Sequence, residues 1–486
     1  MSEATSREAA SYDPNALPPE AIAEPPPSLW KALRKIGPGI ILAGSIVGSG
    51  ELIATTRLGA EYGFVFLWLI LFSCVIKVFV QIELGRYAIS SGKPTLGALN
   101  DLPGPRLGAS WLVWWWFFMM AATLFQLGGM CGGVGQAMHL AFPGVSPWLA
   151  EVAGGVLPQV AGNLQKHPEN PWAVVVAAAA ILLLLSGGYK RIERLTTVLV
   201  MLVTLITVGC VVALPQTGYP IEPSELAKGF STLIPVAGVA AAFGVFGITG
   251  VGASELYSYP YWCLEKGYAR FAGRQSDDPA WVRRAQGWIR VLHLDAWASM
   301  VVFTLVTVAF YTMGATVLYP QGLVPDGSTM VATLAQMYEP AFGRWTLGLF
   351  VVATWAVLFK TVYVASAGHS RLTADFLSLA GFLNYRGAED RARWIRRLSV
   401  VFPSVGLVTY LCVSNPATLV LAGAIAQAAT LPIISGAALY LRLRRTDKRL
   451  RPSLVFDICL WCAVISISLV ALYALYDALA PKPPTA

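Results

Sequence analysis

Two carboxylates sit where apolar sequence leaves no water to solvate them. Glu51 lies inside Val47-Gly48-Ser49-Gly50-Glu51-Leu52, and Glu255 inside Val251-Gly252-Ala253-Ser254-Glu255-Leu256. An acid in hydrocarbon is expensive and is a functional candidate by default, with a partner to be named. Three chemistries suit such a pair: joint coordination of a hard divalent cation, carriage of a proton, or neutralisation of a buried lysine. Lys360 and Lys77, each inside an apolar stretch, are the candidate cations. In the functional reading Lys360 is a fixed positive charge at a coupling-ion or anion site. The small residues around the acids, Gly48, Ser49, Gly50, Gly252, Ala253 and Ser254, add a second signal. Breaks in a membrane helix free backbone amides and carbonyls, which persist only where they line a cavity or bind a ligand. The plainer reading is a close helix-packing face.

The elements that must carry these residues are membrane helices. Crossing about 30 Å of hydrocarbon takes roughly 20 apolar residues. Runs of this kind fall near 38–60, 64–88, 109–140, 172–187, 194–214, 232–262, 291–317, 346–370, 395–413, 416–442 and 454–478. The expected fold is therefore an all-α integral membrane protein of about eleven transmembrane helices. The two Gly-Ser-Glu segments lie in the first and sixth runs, an odd number of crossings apart. They therefore occupy equivalent places in halves of opposite orientation, which points to a 5+5 inverted repeat with helices 1 and 6 interrupted and a site near the midplane. An extra helix follows at the C-terminus.

Composition agrees. The chain has 486 residues, of which 56% are hydrophobic and only 13% charged, against roughly 25% charged in a soluble domain. The net charge of +8 does not describe a nucleic-acid surface. Its Lys and Arg fall in short clusters between apolar blocks, such as Lys190, Arg191 and Arg194 or Arg444, Arg445 and Lys448, and these clusters occupy alternate loops. By the positive-inside rule the N-terminus is cytoplasmic and the C-terminus outside, in the plasma (inner) membrane. The seven cysteines read as buried small hydrophobes. Trp111, Trp114, Trp115 and Trp116 read as an interfacial belt, and Glu83 with Arg86 as a solvated or interfacial pair. The four histidines show no ligand spacing and are assigned to no metal. The chain divides into a disordered cytoplasmic tail (1–30), helices 1–5 (31–215), helices 6–10 (216–445), and helix 11 with a short tail (446–486).

Several segments carry a family resemblance. Gly37-Pro38-Gly39 and the following IILAGSIVGSGELIATTRLGAEYGFVFLW, then Tyr189 to Leu195, Gly229 to Pro235, Asp295, and Leu431-Pro432, resemble the Nramp family of proton-coupled divalent-metal transporters. The resemblance spans roughly residues 30 to 445 and implies the leucine-transporter-type fold. The site motifs depart from it. The family's Asp-Pro-Gly-Asn is replaced by Gly48-Ser49-Gly50-Glu51. Its Met-Pro-His falls near Val251 to Ser254, where no Met or His stands. The acidic pair of the third helix becomes Gln126 and Gly129. What remains is an all-oxygen set, Glu51 and Glu255 with the hydroxyls of Ser49 and Ser254, which suits a hard ion.

The expectation is a secondary active transporter, not an enzyme, moving a divalent metal ion such as Mg or Mn by alternating access. Glu51 and Glu255 are the candidate metal ligands; Gly48, Ser49, Gly50, Gly252, Ala253 and Ser254 line the substrate site. Lys360, Gln126 and Lys77 are the candidate coupling or charge-balancing residues. No cofactor is expected beyond the metal as substrate and a proton as coupling ion. The partners are that substrate and the lipid bilayer, with no nucleic acid and no oligomeric state assigned. Two rivals stand beside it. One is transport of an amino acid, small carboxylate or other anion, held by the exposed amides of Gly48 to Gly50 at a half-helix N-terminus with Lys360 in reach. The other is a sensor that kept the fold and lost transport.

Overall fold

The computed structural model describes residues 22–154, 165–231, 235 and 238–479. Among these, regular structure is helical apart from one two-residue antiparallel pairing of Arg106–Leu107 with Ala109–Ser110. The first membrane helix is broken into α1 (Pro38–Ile46), a π-helical turn at Gly50–Thr55, and α2 (Thr56–Tyr62), with a bend of 43°. Then follow α3 (Leu67–Ser91), α4 (Trp111–Ala141), α5 (Asn170–Ser186) and α6 (Tyr189–Ala213). The sixth helix is also broken, into α7 (Val239–Ile248) and α8 (Ala253–Lys266). The rest are α9 (Pro279–Met313), α10 (Thr346–Thr354), α11 (Lys360–Leu379), α12 (Ala388–Val413), α13 (Pro416–Arg444) and α14 (Leu454–Leu479). Among the described residues, nine helices are long and apolar enough to cross a bilayer, ten with the bent pair α1–α2 counted as one span; α5, at 17 residues, is shorter.

The two broken helices lie side by side and antiparallel. The half before the first break, α1, packs against the half after the second, α8, while the π turn and α2 pack against α7. The breaks adjoin: a Cβ on Gly50 would sit 3.3 Å from the carbonyl of Ile248. Glycine makes the second break possible. Gly250 has φ of +65°, a left-handed conformation in which a Cβ costs about 1–2 kcal/mol. A Cβ there would also lie 3.0 Å from the Cα of Cys74. Gly250→Ala is therefore expected to lower the apparent melting temperature in detergent, whereas the same change at Gly348, where a Cβ meets nothing within 4 Å, is expected to leave it near wild type.

α9 begins twelve residues before the apolar run predicted at 291, because Pro279 occupies its first turn and Asp278 caps it, Oδ1 accepting from the Ala280 N–H at 2.9 Å. Its basic first turns, with Arg283 and Arg284, extend beyond the apolar stretch. Residues 22–28 run without helix beside this region, the Ala23 N–H donating to the Phe271 carbonyl at 3.0 Å, and residues 1–21 of the tail lie outside the described residues. Two of the basic loops meet, the one before α9 and the one before α14. Arg449 binds Asp447, which also accepts from Gln275, and reaches the Ser276 carbonyl. The Arg449 hydrogen bonds hold the Asp447 carboxyl down at about 2.

The outer face is apolar. Val198, Met201, Leu205 and Val212 form an exposed stripe on α6 at helical spacing, and Ile458, Ile465, Leu469 and Leu472 form another on α14, as a hydrocarbon solvent requires. The reading of all seven cysteines as buried is corrected here. Cys74, Cys131, Cys210 and Cys263 are buried, but Cys412 and Cys462 are exposed and Cys459 partly so, on the peripheral helices α12 and α14; all are free thiols. Glu83 and Arg86 are also corrected. They form a buried ion pair at 3.0 Å, not an interfacial one, because α9, the Leu450 turn and α14 cover them.

Candidate functional site around the helix breaks

The half-helix α1 is held at both ends by charge of the sign its dipole favours. At its N-terminus the buried Asp295 of α9 accepts from the Gly37 N–H at 2.8 Å, from the Gly39 N–H at 2.6 Å, and from the Tyr259 hydroxyl at 2.9 Å. At its C-terminus Lys360 donates from Nζ to the Gly44 carbonyl at 2.7 Å and to the Val47 carbonyl. The π-helical turn Trp355–Phe359 immediately precedes Lys360 and carries it to this position. The half-helix α7 repeats the C-terminal arrangement. Lys77 of α3 donates to the carbonyls of Phe246 at 2.5 Å and Thr249 at 2.7 Å. Both lysines are fully buried. Neither forms an ion pair with a carboxylate among the described residues.

In both breaks the glutamate stands three residues after a glycine, and the geometry explains the spacing. Glu51 Oε2 reaches back to accept from the Gly48 N–H at 3.1 Å, the half of a capping box in which an acid satisfies a backbone donor at a helix start. Glu255 folds back over Gly252 so closely that a Cβ there would lie 2.6 Å from Oε2. Its Oε1 accepts from the Ser45 hydroxyl of α1 at 2.7 Å, tying the two broken helices together.

A second tie is a chain of amides. The Ser254 N–H donates to Gln427 Oε1 at 3.1 Å, Gln427 Nε2 to Gln126 Oε1 at 2.8 Å, and Gln126 Nε2 to Ser49 Oγ at 3.2 Å. Two glutamines, from α4 and α13, thus bridge the break of the sixth helix to that of the first. Gln427→Leu removes the centre of this bridge and leaves a backbone donor and an amide oxygen unmatched. The expected effect is a loss of about 2 kcal/mol, read as a fall in thermal stability in detergent.

Beside this bridge is a cavity of about 40 Å³ lined by Ser45, Gln126, Ser254, Glu255, Thr361 and Gln427, with Met130 and His369 also on its wall. Ser254 Oγ and His369 Nδ1 are buried and make no hydrogen bond among the described residues. Of the predicted site residues, the structure brings Glu255, Ser254 and Gln126 to the cavity, with Ser49 bound to Gln126 and Gly252 beneath Glu255. Glu51 does not line it. Its carboxylate turns into the break, with Oε1 at 3.5 Å from the hydroxyl of Thr307 on α9. Lys360 and Lys77 sit at half-helix ends, Gly48 supplies its N–H to Glu51, Gly50 packs on Ile248, and Ala253 starts α8. Among the described residues no three His, Cys, Asp or Glu side chains gather as a metal-holding group. Sequence reasoning missed Ser45, Thr361 and Gln427. A polar amide in the Gly- and Ala-rich stretch around Gln427 was the available signal.

A membrane bundle whose two broken helices lie antiparallel, with polar groups converging on adjacent breaks, is a carrier of the inverted-repeat type. The family model described as natural resistance-associated macrophage protein-like matches residues 39–477, extending the resemblance through most of α14. The chain belongs to the Nramp family. The fold is shared with solved transporters. A mutant of the Eremococcus coleocola manganese transporter aligns at TM-score 0.65 and 17% identity, covering 96% of this chain and 92% of that one. MhsT in complex with L-phenylalanine gives 0.53 at 15% identity, covering 94% and 100%. Inward-facing Mhp1 gives 0.53 at 15% identity, covering 97% and 93%. An uncharacterized protein of Pasteurella multocida is 22% identical over 359 residues, 72% of each chain. The all-helical, leucine-transporter-type fold with helices 1 and 6 broken is the one the sequence resemblance implied.

Proposed function

We propose that this Nramp-family chain is a secondary transporter that moves a divalent metal ion, Mg or Mn, by alternating access around the two breaks, with Glu255 as its acidic ligand. The observation that supports the reading most is the cavity at the second break. At about 40 Å³ it has room for roughly three waters, which suits an ion that keeps part of its hydration better than it suits an amino acid. Its wall offers a carboxylate, an unpartnered hydroxyl and amide oxygens, the donors that hard cations prefer. Ser45, bound to Glu255, belongs to α1, so movement of that half-helix would open or complete the donor set. Glu51, walled off from the cavity, is assigned the proton-carrying role of the two acids.

An anionic cargo finds less support. The cavity wall carries a carboxylate, and both buried ammonium groups are engaged by backbone carbonyls. On this reading residues 31–215 and 216–445 are the two repeats, residues 446–486 carry the last helix and a short tail, and the loops rich in Lys and Arg face the cytoplasm. The test is uptake of Mn²⁺ into proteoliposomes by wild type and Glu255→Gln. Saturable uptake lost in the variant supports the proposal; uptake absent from wild type, or kept in full by Glu255→Gln, refutes it.

A further inference from the structure

We propose that the ammonium groups of Lys360 and Lys77 are tethered cations that fill two monovalent-cation sites at the C-termini of the half-helices, so that the carrier works without sodium there. The inference does not depend on the cargo.

The two sites have the same composition. At the end of α1, Lys360 Nζ meets the carbonyls of Gly44 and Val47, and the Thr361 hydroxyl lies 3.4 Å from the Gly44 carbonyl. At the end of α7, Lys77 Nζ meets the carbonyls of Phe246 and Thr249, and the Ser73 hydroxyl lies 3.1 Å from the Thr249 carbonyl. Each site is two carbonyls three residues apart plus one hydroxyl from the lysine's own helix. Carbonyls released at a half-helix C-terminus, at the negative end of the dipole, are what coordinates a small cation in carriers of this architecture. A buried lysine whose hydrogen bonds all go to carbonyls supplies the same unit charge covalently.

The repeat does not explain the coincidence. The ends of α1 and α7 are equivalent under the inverted repeat, but Lys77 comes from the second helix and Lys360 from the eighth, which the repeat does not interchange. Two different helices therefore deliver an ammonium to the two equivalent ends. This is expected if a positive charge is required at each end, and not if either lysine is an accident of packing.

The consequence is a gain of function on truncation. In Lys360→Ala the Gly44 and Val47 carbonyls and the Thr361 hydroxyl are left around a vacated position. The test is saturable binding of ²²Na⁺ by purified full-length protein, alongside apparent melting temperature in NaCl against choline chloride. Wild type is expected to bind no sodium specifically and to melt alike in both salts. Lys360→Ala is expected to bind ²²Na⁺ saturably and to gain about 2 °C or more in NaCl. Lys360→Met, which fills the space without charge, is expected to gain neither. Should Lys360→Ala fail to fold, Lys77→Ala makes the same test at the second end. Saturable sodium binding by wild type, no sodium binding by the folded alanine variants, or equal binding by Lys360→Met would each overturn the proposal.

Discussion

Glu255→Gln in proteoliposomes is expected to reduce Mn²⁺ uptake at low substrate concentration by at least about tenfold, with the protein still folded. Glutamine keeps the side chain's length and still accepts from the Ser45 hydroxyl, so the tie between α8 and α1 survives. What disappears is the negative charge, and Glu255 is the one carboxylate among the described residues on the cavity wall. A tenfold change corresponds to about 1.4 kcal/mol, a modest demand on a charge that faces a divalent ion in a low-dielectric setting. The companion variant Glu51→Gln separates the two acids. Because Glu51 lies outside the cavity and binds the Gly48 N–H, its substitution is expected to change the dependence of uptake on a pH gradient more than the apparent affinity for Mn²⁺. Equal effects of both substitutions on affinity would contradict that division.

Asp295→Ala is expected to produce the largest loss of stability, about 3–5 kcal/mol, seen as a fall of roughly 5 °C or more in apparent melting temperature. The carboxylate accepts from three buried donors, two of them the N–H groups that open α1. Truncation leaves all three unmatched at a buried position, and removes the charge that complements the helix N-terminus. Asp295→Asn is expected to fall between, since one amide oxygen can still accept while its NH₂ faces the remaining N–H. The ranking wild type, Asn, Ala is the check. An alanine variant as stable as wild type would show that α1 does not need its N-terminal clamp.

Much of this architecture was legible in the sequence, because each break is marked by a carboxylate, a residue that membrane helices otherwise avoid. Gly48, Gly50 and Gly252 beside a glutamate mark the two interruptions, and the structure shows why glycine is needed above all at Gly250 and Gly252. Partners were less legible. Lys360 and Lys77 stood out as buried charge, yet a search for their counter-ions among acids could not reveal that the ends of two half-helices serve instead. The amide bridge was half visible: Gln126 was singled out, but Gln427, 301 residues later, has no spacing that links it to the site. The facing of the two glutamates depends on side-chain direction within one turn after each break. The shared motif Val-Gly-x-x-Glu-Leu shows their equivalence and not that difference. Glu83 and Arg86 illustrate the same limit, since only the packing of α9 and α14 over them decides that the pair is buried.

The most direct measurement is anomalous diffraction from crystals soaked in MnCl₂. One peak is expected in the cavity between α1, α4, α8, α11 and α13, within about 2.5 Å of a Glu255 carboxylate oxygen and absent from Glu255→Gln crystals. A cavity without manganese at saturating concentration, or a peak bound elsewhere and unaffected by Glu255→Gln, would contradict it.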